Sequence, residues 1–340
     1  MNNVFVYCEI TEDQLIADVS QELCSKGRKL ANELGVGLEA IVIGNEVKNL
    51  EQQLYPLGVD VIHQAKDARL FPFSSMSHTS IVVNLFKQEQ PQVALFGATS
   101  VGRDLAPRVA SALRCGLTAD CTSLEIGEHE DKKVGKTYQN LLYQIRPAFG
   151  GNIIATIVNP ETRPQMATVR EGVMKKEVFK ADHKGVIKPI DVKKFTNEVD
   201  FACQIIDRHI EEQKINIKGA QIIVAGGYGV GSKENFKQLF DLAAAIGGEV
   251  GATRAAVDGG FAEHERQIGQ TGVTVRPKLY IACGISGAVQ HRAGMEESAK
   301  VISINTDPKA PINAIADYTI TGDLNEVLPK MIKYYKANSK

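Results

Sequence analysis

Two glycine-containing turns in the last third of the chain have the residue types that bind anionic groups. The segments QIIVAGGYGVGSKENF, residues 221–236, and LYIACGISGAVQH, residues 279–291, each pass from an apolar strand pattern through glycines into a helix pattern. Glycine lets the backbone turn sharply and approach a ligand, and the start of a helix offers unpaired N–H groups. Each turn is therefore a candidate phosphate site.

Each of these turns also has a purely structural interpretation. The glycines Gly227, Gly229 and Gly231 do not have the spacing G-x-G-x-x-G, so a nucleotide site and a structural turn are equally favoured for the first segment alone. In the second segment Ser286 is predicted to be the N-cap, with the N–H groups of Ala288 and Val289 directed at an anion. An ordinary capped helix is the alternative there.

Two further segments contain candidate ligand contacts. The loop QIGQTG, residues 267–272, has few apolar residues beside a buried strand pattern, which suggests that it holds a polar ring system. The segment GATRAAVDGGF, residues 251–261, places Arg254 as an apparently unpaired cation in an apolar, glycine-rich run. Taken alone, such an arginine is more often a surface or ion-pair residue.

The elements around these segments alternate between strand and helix patterns. Residues 1–113 predict a parallel sheet covered on both faces, and residues 117–175 predict a β-rich closure of the same domain. A polar, basic stretch over residues 176–219 marks a domain boundary, with a short helix predicted at residues 200–213. The pattern then restarts at residue 221. The predicted fold class is α/β, with two doubly wound parallel-sheet domains.

Composition excludes several function classes. A net charge of −1 over 340 residues gives no field that favours nucleic acid or an anionic membrane. None of the six cysteines forms a C-x-x-C pair, which argues against a metal site or an iron–sulfur cluster, and the histidines lack metal-ligand spacing. No apolar run is long enough to span a membrane and no leader pattern opens the chain, so we expect a cytoplasmic protein.

Taken together, the motifs resemble one family. In chain order, GG-x-G-x-G-S, ATRAAVD-x-GF, QIGQTG, LYIACGISGA-x-QH-x-AGM and SIN-x-DP-x-AP are similar to the alpha subunit of electron-transfer flavoproteins, and GATSVGRDLAPRVA in the first half also resembles that family. The resemblance implies an N-terminal α/β domain, residues 1–195, that contacts a beta subunit. It also implies a Rossmann-like FAD-binding domain over residues 205–330 and a C-terminal tail over residues 331–340.

The resemblance also implies which residues contact the FAD. Arg254 would lie against the flavin ring, the Thr271 hydroxyl near flavin N5, and His291 at the flavin O2 side, where a proton or positive charge would stabilise reduced flavin. Residues 286–290 would wrap the pyrophosphate, and Asn305 would approach the adenosine half. The full set implied by the resemblance is Gly227, Thr253, Arg254, Gln267, Ile268, Gly269, Gln270, Thr271, Ser286, Gly287, Ala288, Val289, Gln290, His291, Asn305, Asp323 and Leu324.

The function implied by the resemblance is that of an electron carrier and not of an enzyme by itself. Such a chain pairs with a beta subunit that holds AMP or a second FAD, and it passes single electrons to or from a flavoenzyme such as an acyl-CoA dehydrogenase. The segment TVRP, with Arg276, resembles relatives that bifurcate electrons from NADH to ferredoxin. In one respect the sequence departs from the family, because Tyr228 stands where many relatives have arginine.

Two other functions remain open from the sequence. One is an NAD-dependent enzyme, related to a transhydrogenase or a deacylase, on a similar nucleotide-binding fold. The other is a nucleotide-binding scaffold without redox chemistry. Deacylases of that fold have paired C-x-x-C zinc ligands, which this sequence lacks.

Overall fold

The computed structural model describes residues 2–131, 135–148, 153–203, 205–208 and 217–338. The chain divides into two compact units. The N-terminal unit comprises Met1–Ala148 and Ile154–Arg208, and the C-terminal unit comprises Phe149–Ile153 and His209–Lys340. Of the helix predicted at residues 200–213, residues 204 and 209–213 lie outside the described residues. The described part contains the end of a 3-10 turn, Glu198–Phe201, and no α-helix, so the prediction is wrong there.

The N-terminal unit contains a seven-stranded sheet in which every pair of neighbours is parallel. Its strands are β1 (Val4–Cys8), β2 (Leu38–Gly44), β3 (Val61–Lys66), β4 (Val93–Gly97), β5 (Leu117–Cys121), β9 (Gln165–Val169) and β10 (Val186–Ile190), in the spatial order β10-β3-β2-β1-β4-β9-β5. Strands β6 (Ser123–Asp131), β7 (Lys136–Ala148) and β8 (Ile153–Ile157) form a separate three-stranded sheet, with β6 and β7 antiparallel.

Helices cover both faces of the seven-stranded sheet, as the sequence predicts. Alternate residues of β1 enter opposite cores: Val4 and Val6 pack with residues of helix α1 (Asp18–Leu34), and Phe5 and Tyr7 with residues of α3 (Ser75–Glu89) and α4 (Ser100–Leu113). This alternation follows from the two-residue period of a strand, and burial on both faces explains the continuous apolar runs in the sequence. Two short helices, α2 (Leu50–Leu54) and α5 (Val192–Phe195), complete the unit.

The predicted β-rich closure of the first domain divides between the two sheets. Strands β5 and β9 extend the parallel sheet, whereas β6, β7 and β8 are hydrogen-bonded to one another in the three-stranded sheet. Strand β10 lies in the polar stretch that we interpreted as a boundary. It pairs with β3 at the sheet edge and leaves Val186 exposed, so its sequence lacks the burial pattern of a central strand.

The C-terminal unit is a second doubly wound sheet, which confirms the predicted fold class. Its five parallel strands are β11 (Ile222–Gly226), β12 (Glu249–Ala252), β13 (Leu279–Cys283), β14 (Val301–Asn305) and β15 (Tyr318–Thr321), in the order β12-β11-β13-β14-β15. The helices α6 (Lys233–Ile246) and α9 (Leu324–Asn338) pack on one face. The unit also contains two short helices, α7 (Arg254–Asp258) and α8 (Val289–Arg292).

One local prediction in this unit is wrong. Ser286 is not the N-cap of α8, because that helix begins at Val289 with Ala288 at the N-cap, and no side chain caps it. Residues 331–340, given as a C-terminal tail, include the second half of α9 as far as Asn338. Among the described residues, no helix has the length and apolar character needed to cross a membrane.

Candidate functional site

A cavity of about 670 Å³ opens at the carboxyl ends of the strands in the C-terminal unit. Its walls come from the segments that follow β11, β12, β13 and β14. The chain winds outward in opposite directions from β11 and β13, which are neighbours in the sheet, and ligands of doubly wound proteins bind at this switch point. The lining residues are Gly227, Tyr228, Gly229, Thr253, Arg254, Ala255, Asp258, Ile268, Gly269, Gln270, Thr271, Gly284, Ile285, Ser286, Gly287, Ala288, Gln290, His291, Asn305, Asp307 and Ala310.

The first glycine turn is a platform for the second. The N–H of Gly227 donates to the Cys283 carbonyl at 2.9 Å, and the N–H of Gly229 donates to the Gly284 carbonyl at 3.1 Å. A Cβ at Gly227 would lie 2.2 Å from the Gly284 oxygen, so only glycine permits this approach. The two N–H groups bind the neighbouring turn, which favours the structural interpretation of this segment.

The second glycine turn presents donors to the cavity. Within the described part of the chain, the N–H groups of Ser286, Gly287 and Ala288 donate to no backbone carbonyl, and all three residues line the cavity. Gly287 has φ +92°, and a Cβ there would lie 2.5 Å from the Ile312 nitrogen. Three adjacent N–H donors in a glycine turn suit a phosphate group. Because α8 has four residues, its dipole contributes less than we expected from the sequence.

Main-chain hydrogen bonds fix the polar loop, residues 267–272, against the cavity. Ile268 N–H donates to the Ala252 carbonyl at 2.8 Å, and Gln270 N–H donates to the Gln290 carbonyl at 2.8 Å. The Gln267 side chain is buried and donates to Thr271 Oγ1 at 3.0 Å. Gln267 thus supports Thr271 from behind, while Thr271 itself lines the cavity.

His291 is buried and has a partner on each ring nitrogen. Its Nδ1 lies 3.0 Å from the Ile268 carbonyl and its Nε2 lies 2.9 Å from the Tyr280 hydroxyl. Burial lowers the pKa of His291 to about 4, although the hydrogen bond to Ile268 opposes this shift. The imidazole is therefore neutral near pH 7, and our expectation of a positive charge on it is wrong for the protein in this state.

Arg254 is the cation that lines the cavity, and it has an acidic partner. Its Nε lies 3.4 Å from Asp258 Oδ2, one helical turn away, with 69% of the arginine side chain exposed. The sequence-based description of Arg254 as unpaired is therefore wrong. Thr253 begins the same helix, because its hydroxyl accepts the N–H of Ala256.

An aromatic pair borders the cavity where the sequence departs from the family pattern. The ring of Tyr228 stacks on Phe261, with centroids 5.4 Å apart and planes 20° apart. Tyr228 is 63% exposed and lines the cavity. Gly259 leaves room for this stack, since a Cβ there would lie 3.2 Å from the Tyr228 ring.

Four of the predicted contact residues do not line the cavity: Gln267, Val289, Asp323 and Leu324. Leu324, the first residue of α9, is buried in the core of the unit. The Asp323 carboxylate accepts the N–H of Asn325 in the first turn of that helix. Their contact with adenine stays a prediction that the cavity does not support. Arg276, of the TVRP segment, also lies outside the cavity lining.

The lining residues outside the set of predicted contacts are Tyr228, Gly229, Ala255, Asp258, Gly284, Ile285, Asp307 and Ala310. All of them lie in the segments that follow β11, β12, β13 or β14, so the carboxyl-end rule applied to each strand would have found them. The end of β14 contributes to the cavity through Asn305. Its side chain donates to the Ile285 carbonyl at 2.9 Å and accepts the N–H of Asp307, and all three residues line the cavity.

The N-terminal unit places polar groups together in two positions that the sequence did not indicate. At its own switch point, between β1 and β4, the buried Glu9 carboxylate accepts hydrogen bonds from the Thr99 hydroxyl at 2.8 and 2.9 Å. Elsewhere, Glu39 and His63 form a buried pair, and Glu89 approaches so that the three ligand atoms lie within 4.8 Å of one another. Burial would raise the pKa of Glu39, but hydrogen bonds from His63 and Asn3 hold it below its ordinary value.

Comparison with known proteins assigns the chain to a family. Residues 4–195 match the model of the electron transfer flavoprotein domain, and residues 216–296 match the electron transfer flavoprotein FAD-binding domain. The chain is 43% identical to the electron transfer flavoprotein subunit alpha of Thermoanaerobacterium thermosaccharolyticum, covering 98% of both chains. The chain belongs to the electron transfer flavoprotein alpha-subunit family.

Two further relatives match nearly the whole chain. The electron transfer flavoprotein subunit alpha of Clostridium acetobutylicum is 42% identical, over 98% of this chain and 97% of its own. The acryloyl-CoA reductase electron transfer subunit beta of Anaerotignum propionicum is 39% identical, over 98% of this chain and 95% of its own. These matches confirm the resemblance drawn from the motifs.

Proposed function

We propose that this chain binds one FAD in the cavity of its C-terminal unit and acts as the alpha subunit of a heterodimeric electron carrier. The observation with most weight is the turn at residues 286–288, whose three N–H groups line the cavity without a backbone acceptor among the described residues. The two glycine turns pack so closely that Gly227 and Gly229 have no room for a side chain, so backbone groups form the binding surface there. This packing supports the same proposal. The family's FAD-binding domain spans both turns.

In this proposal each part of the FAD contacts a different part of the cavity lining. The pyrophosphate contacts residues 286–290, and the adenosine half extends toward Asn305. The flavin ring would lie between two segments. The loop at residues 267–272 is on one side, and Thr253 and Arg254, at the start of helix α7, are on the other. Gly227 lies beneath the pyrophosphate, where the lack of a side chain leaves space.

The chain's own groups decide how the bound flavin responds to reduction. FAD supplies one-electron chemistry when bound, and the protein supplies orientation and electrostatics. Arg254 provides positive charge near the ring. His291 provides a neutral, fixed imidazole, and Thr271 provides a hydroxyl held by Gln267.

The partners follow from the family. We infer a beta subunit that pairs with this chain and holds AMP or a second FAD, and a flavoenzyme such as an acyl-CoA dehydrogenase that exchanges electrons with the complex. One relative's name, acryloyl-CoA reductase electron transfer subunit, supports an acyl-CoA enzyme as that partner.

The finer hypothesis is electron bifurcation from NADH, with ferredoxin as one acceptor. It rests on the TVRP segment, although Arg276 lies outside the cavity lining. Counting nucleotides in the purified complex with its beta subunit tests it. Two FAD per complex would support bifurcation, and one FAD with one AMP would contradict it.

The broader proposal is tested by the pigment of the full-length chain, purified alone and with a beta subunit of the same family. We expect flavin absorbance and FAD, identified after release by denaturation. A colourless protein that binds NAD instead would contradict the proposal and favour an NAD-dependent enzyme.

A further inference from the structure

A buried chain of hydrogen bonds connects the core of the C-terminal sheet to the polar loop of the cavity. It begins at Tyr280 of β13, whose side chain has no exposed surface, passes through His291 of α8, and ends at the Ile268 carbonyl of the loop. The two distances are 2.9 and 3.0 Å, so both are ordinary hydrogen bonds. Three segments that are distant in sequence are joined through one imidazole.

The chemistry of the partners fixes the direction of each bond. A carbonyl oxygen can only accept, so Nδ1 of His291 bears the hydrogen and donates to Ile268. In a neutral imidazole Nε2 is then an acceptor, and the Tyr280 hydroxyl donates to it. Burial raises the pKa of Tyr280 well above its ordinary value, so this hydroxyl keeps its proton.

The loop at the far end packs closely against α8. Besides the bond from His291, Gln270 N–H donates to the Gln290 carbonyl. A Cβ at Gly294 would lie 2.5 Å from the nitrogen of Gly269, which leaves no slack between the loop and the segment after α8. A turn of the imidazole, or loss of its proton at Nδ1, would set a lone pair against the Ile268 carbonyl and displace the loop.

We propose that Tyr280 is a positioning residue for the flavin site. Its hydroxyl donates to Nε2 of His291 and fixes the orientation of the neutral imidazole, so that the Nδ1–H stays directed at the Ile268 carbonyl and holds the loop of residues 267–272 against the cofactor. The part of this inference that concerns flavin rests on the function proposed above. The part that concerns His291 does not, since it is a property of the protein without cofactor.

The chain contains a matched control for this pair in its other unit. The Tyr7 hydroxyl lies 2.8 Å from His78 Nδ1, and His78 Nε2 lies 2.9 Å from the Leu70 carbonyl. Both residues are buried, and burial lowers the pKa of His78 to about 4 as it does that of His291. The same reasoning gives His78 the opposite tautomer, protonated at Nε2.

The experiment combines nitrogen NMR of labelled histidines with FAD binding, on the full-length wild type, Tyr280→Phe and Tyr7→Phe. At pH 7 the wild type should show one buried neutral histidine protonated at Nδ1, His291, and one protonated at Nε2, His78. In Tyr280→Phe the His291 Nε2 loses its donor, so its nitrogen signal should move to that of an acceptor without a hydrogen bond while the proton stays at Nδ1, with FAD binding about tenfold weaker. Tyr7→Phe should leave the His291 signal and FAD affinity unchanged.

Three results would overturn the proposal. The first is a wild-type His291 that is charged, or protonated at Nε2, at pH 7, which needs no variant to be seen. The second is an unchanged His291 Nε2 signal in Tyr280→Phe, and the third is equal FAD affinity in the two variants. If the wild type binds no FAD, the proposed function fails, and the Nε2 signal alone still decides whether Tyr280 positions His291.

Discussion

Arg254 and Asp258 stand one turn apart on α7 at the edge of the cavity, with the guanidinium Nε 3.4 Å from the carboxylate. The two charges oppose each other in their effect on any flavin bound beside them. Positive charge stabilises the negative charge gained on reduction, and the carboxylate reduces that effect. Both side chains are mostly exposed, at 69% and 65%, so solvent screens both.

We therefore predict shifts of opposite sign in the flavin reduction potential. Arg254→Gln should lower it and Asp258→Asn should raise it. Each shift should be at most about 40 mV, since an exposed charge contributes about 1 kcal/mol or less and that energy corresponds to about 40 mV for one electron. Reductive titration of the FAD-loaded complex against a reference dye measures the shift. Shifts of the same sign in both variants would show that local charge does not control the potential.

Gly287 should tolerate no side chain. Gly287→Ala forces a residue with a Cβ into φ +92° and brings it within 2.5 Å of the Ile312 nitrogen, so we expect a loss of unfolding free energy of about 2 kcal/mol or more and loss of FAD. Gly260→Ala is the control, because Gly260 has φ +74° but open space around it. That variant should cost about 1 kcal/mol and retain FAD. Urea unfolding and flavin absorbance after gel filtration distinguish the two outcomes.

Glu9 should make the N-terminal unit less stable at alkaline pH. Burial raises the pKa of Glu9 from 4.5 to about 7, with hydrogen bonds from Thr99 opposing the shift and Glu171 adding to it. Because the folded pKa is above the unfolded one, the stabilisation is complete below pH 4.5 and is lost as the pH rises through 7.

Glu9→Gln mimics the protonated form and removes this loss. Between pH 5 and pH 8, the unfolding free energy of Glu9→Gln should rise by about 2 kcal/mol relative to that of the wild type. Urea unfolding at both pH values measures this difference. A constant difference between Glu9→Gln and the wild type at both pH values would contradict the raised pKa.

Two of the buried histidines, His78 and His291, should act in the opposite direction, at acid pH. Burial lowers the pKa of His78 and of His291 from 6.5 to about 4, so both are neutral in the folded protein. The unfolded chain binds more protons between these values, and the stabilisation present above pH 6.5 is lost as the pH falls through 4.

Proton uptake on unfolding at pH 5.5 measures this effect. We expect His78→Gln to take up about one proton fewer than the wild type. Equal uptake by His78→Gln and the wild type would contradict the lowered pKa of His78.

The sequence predicted the sheets well where burial imposes a pattern. Central strands such as Val4–Cys8 and Val93–Gly97 are buried along their whole length, which produces unbroken apolar runs. The edge strand Val186–Ile190 escaped prediction because only Ile190 is buried and Pro189 interrupts it.

The same contrast holds for the cavity. Its backbone contributors could be predicted, since glycine turns after buried strands mark the carboxyl ends where ligands bind. Side-chain states could not. The neutral state of His291 does not follow from spacing along the chain, because it depends on burial and on partners such as Tyr280. Arg254 and Asp258 are four residues apart, a spacing that pairs the two charges only once the segment is helical.

The flavin content of the complex between this chain and a beta subunit of the same family, compared between the wild type and Gly287→Ala, decides where the cofactor binds. If the turn at residues 286–288 binds the FAD pyrophosphate, the variant complex should contain one FAD fewer than the wild type while its subunits stay associated on gel filtration. An equal number of FAD in the two complexes would show that this turn does not hold the cofactor.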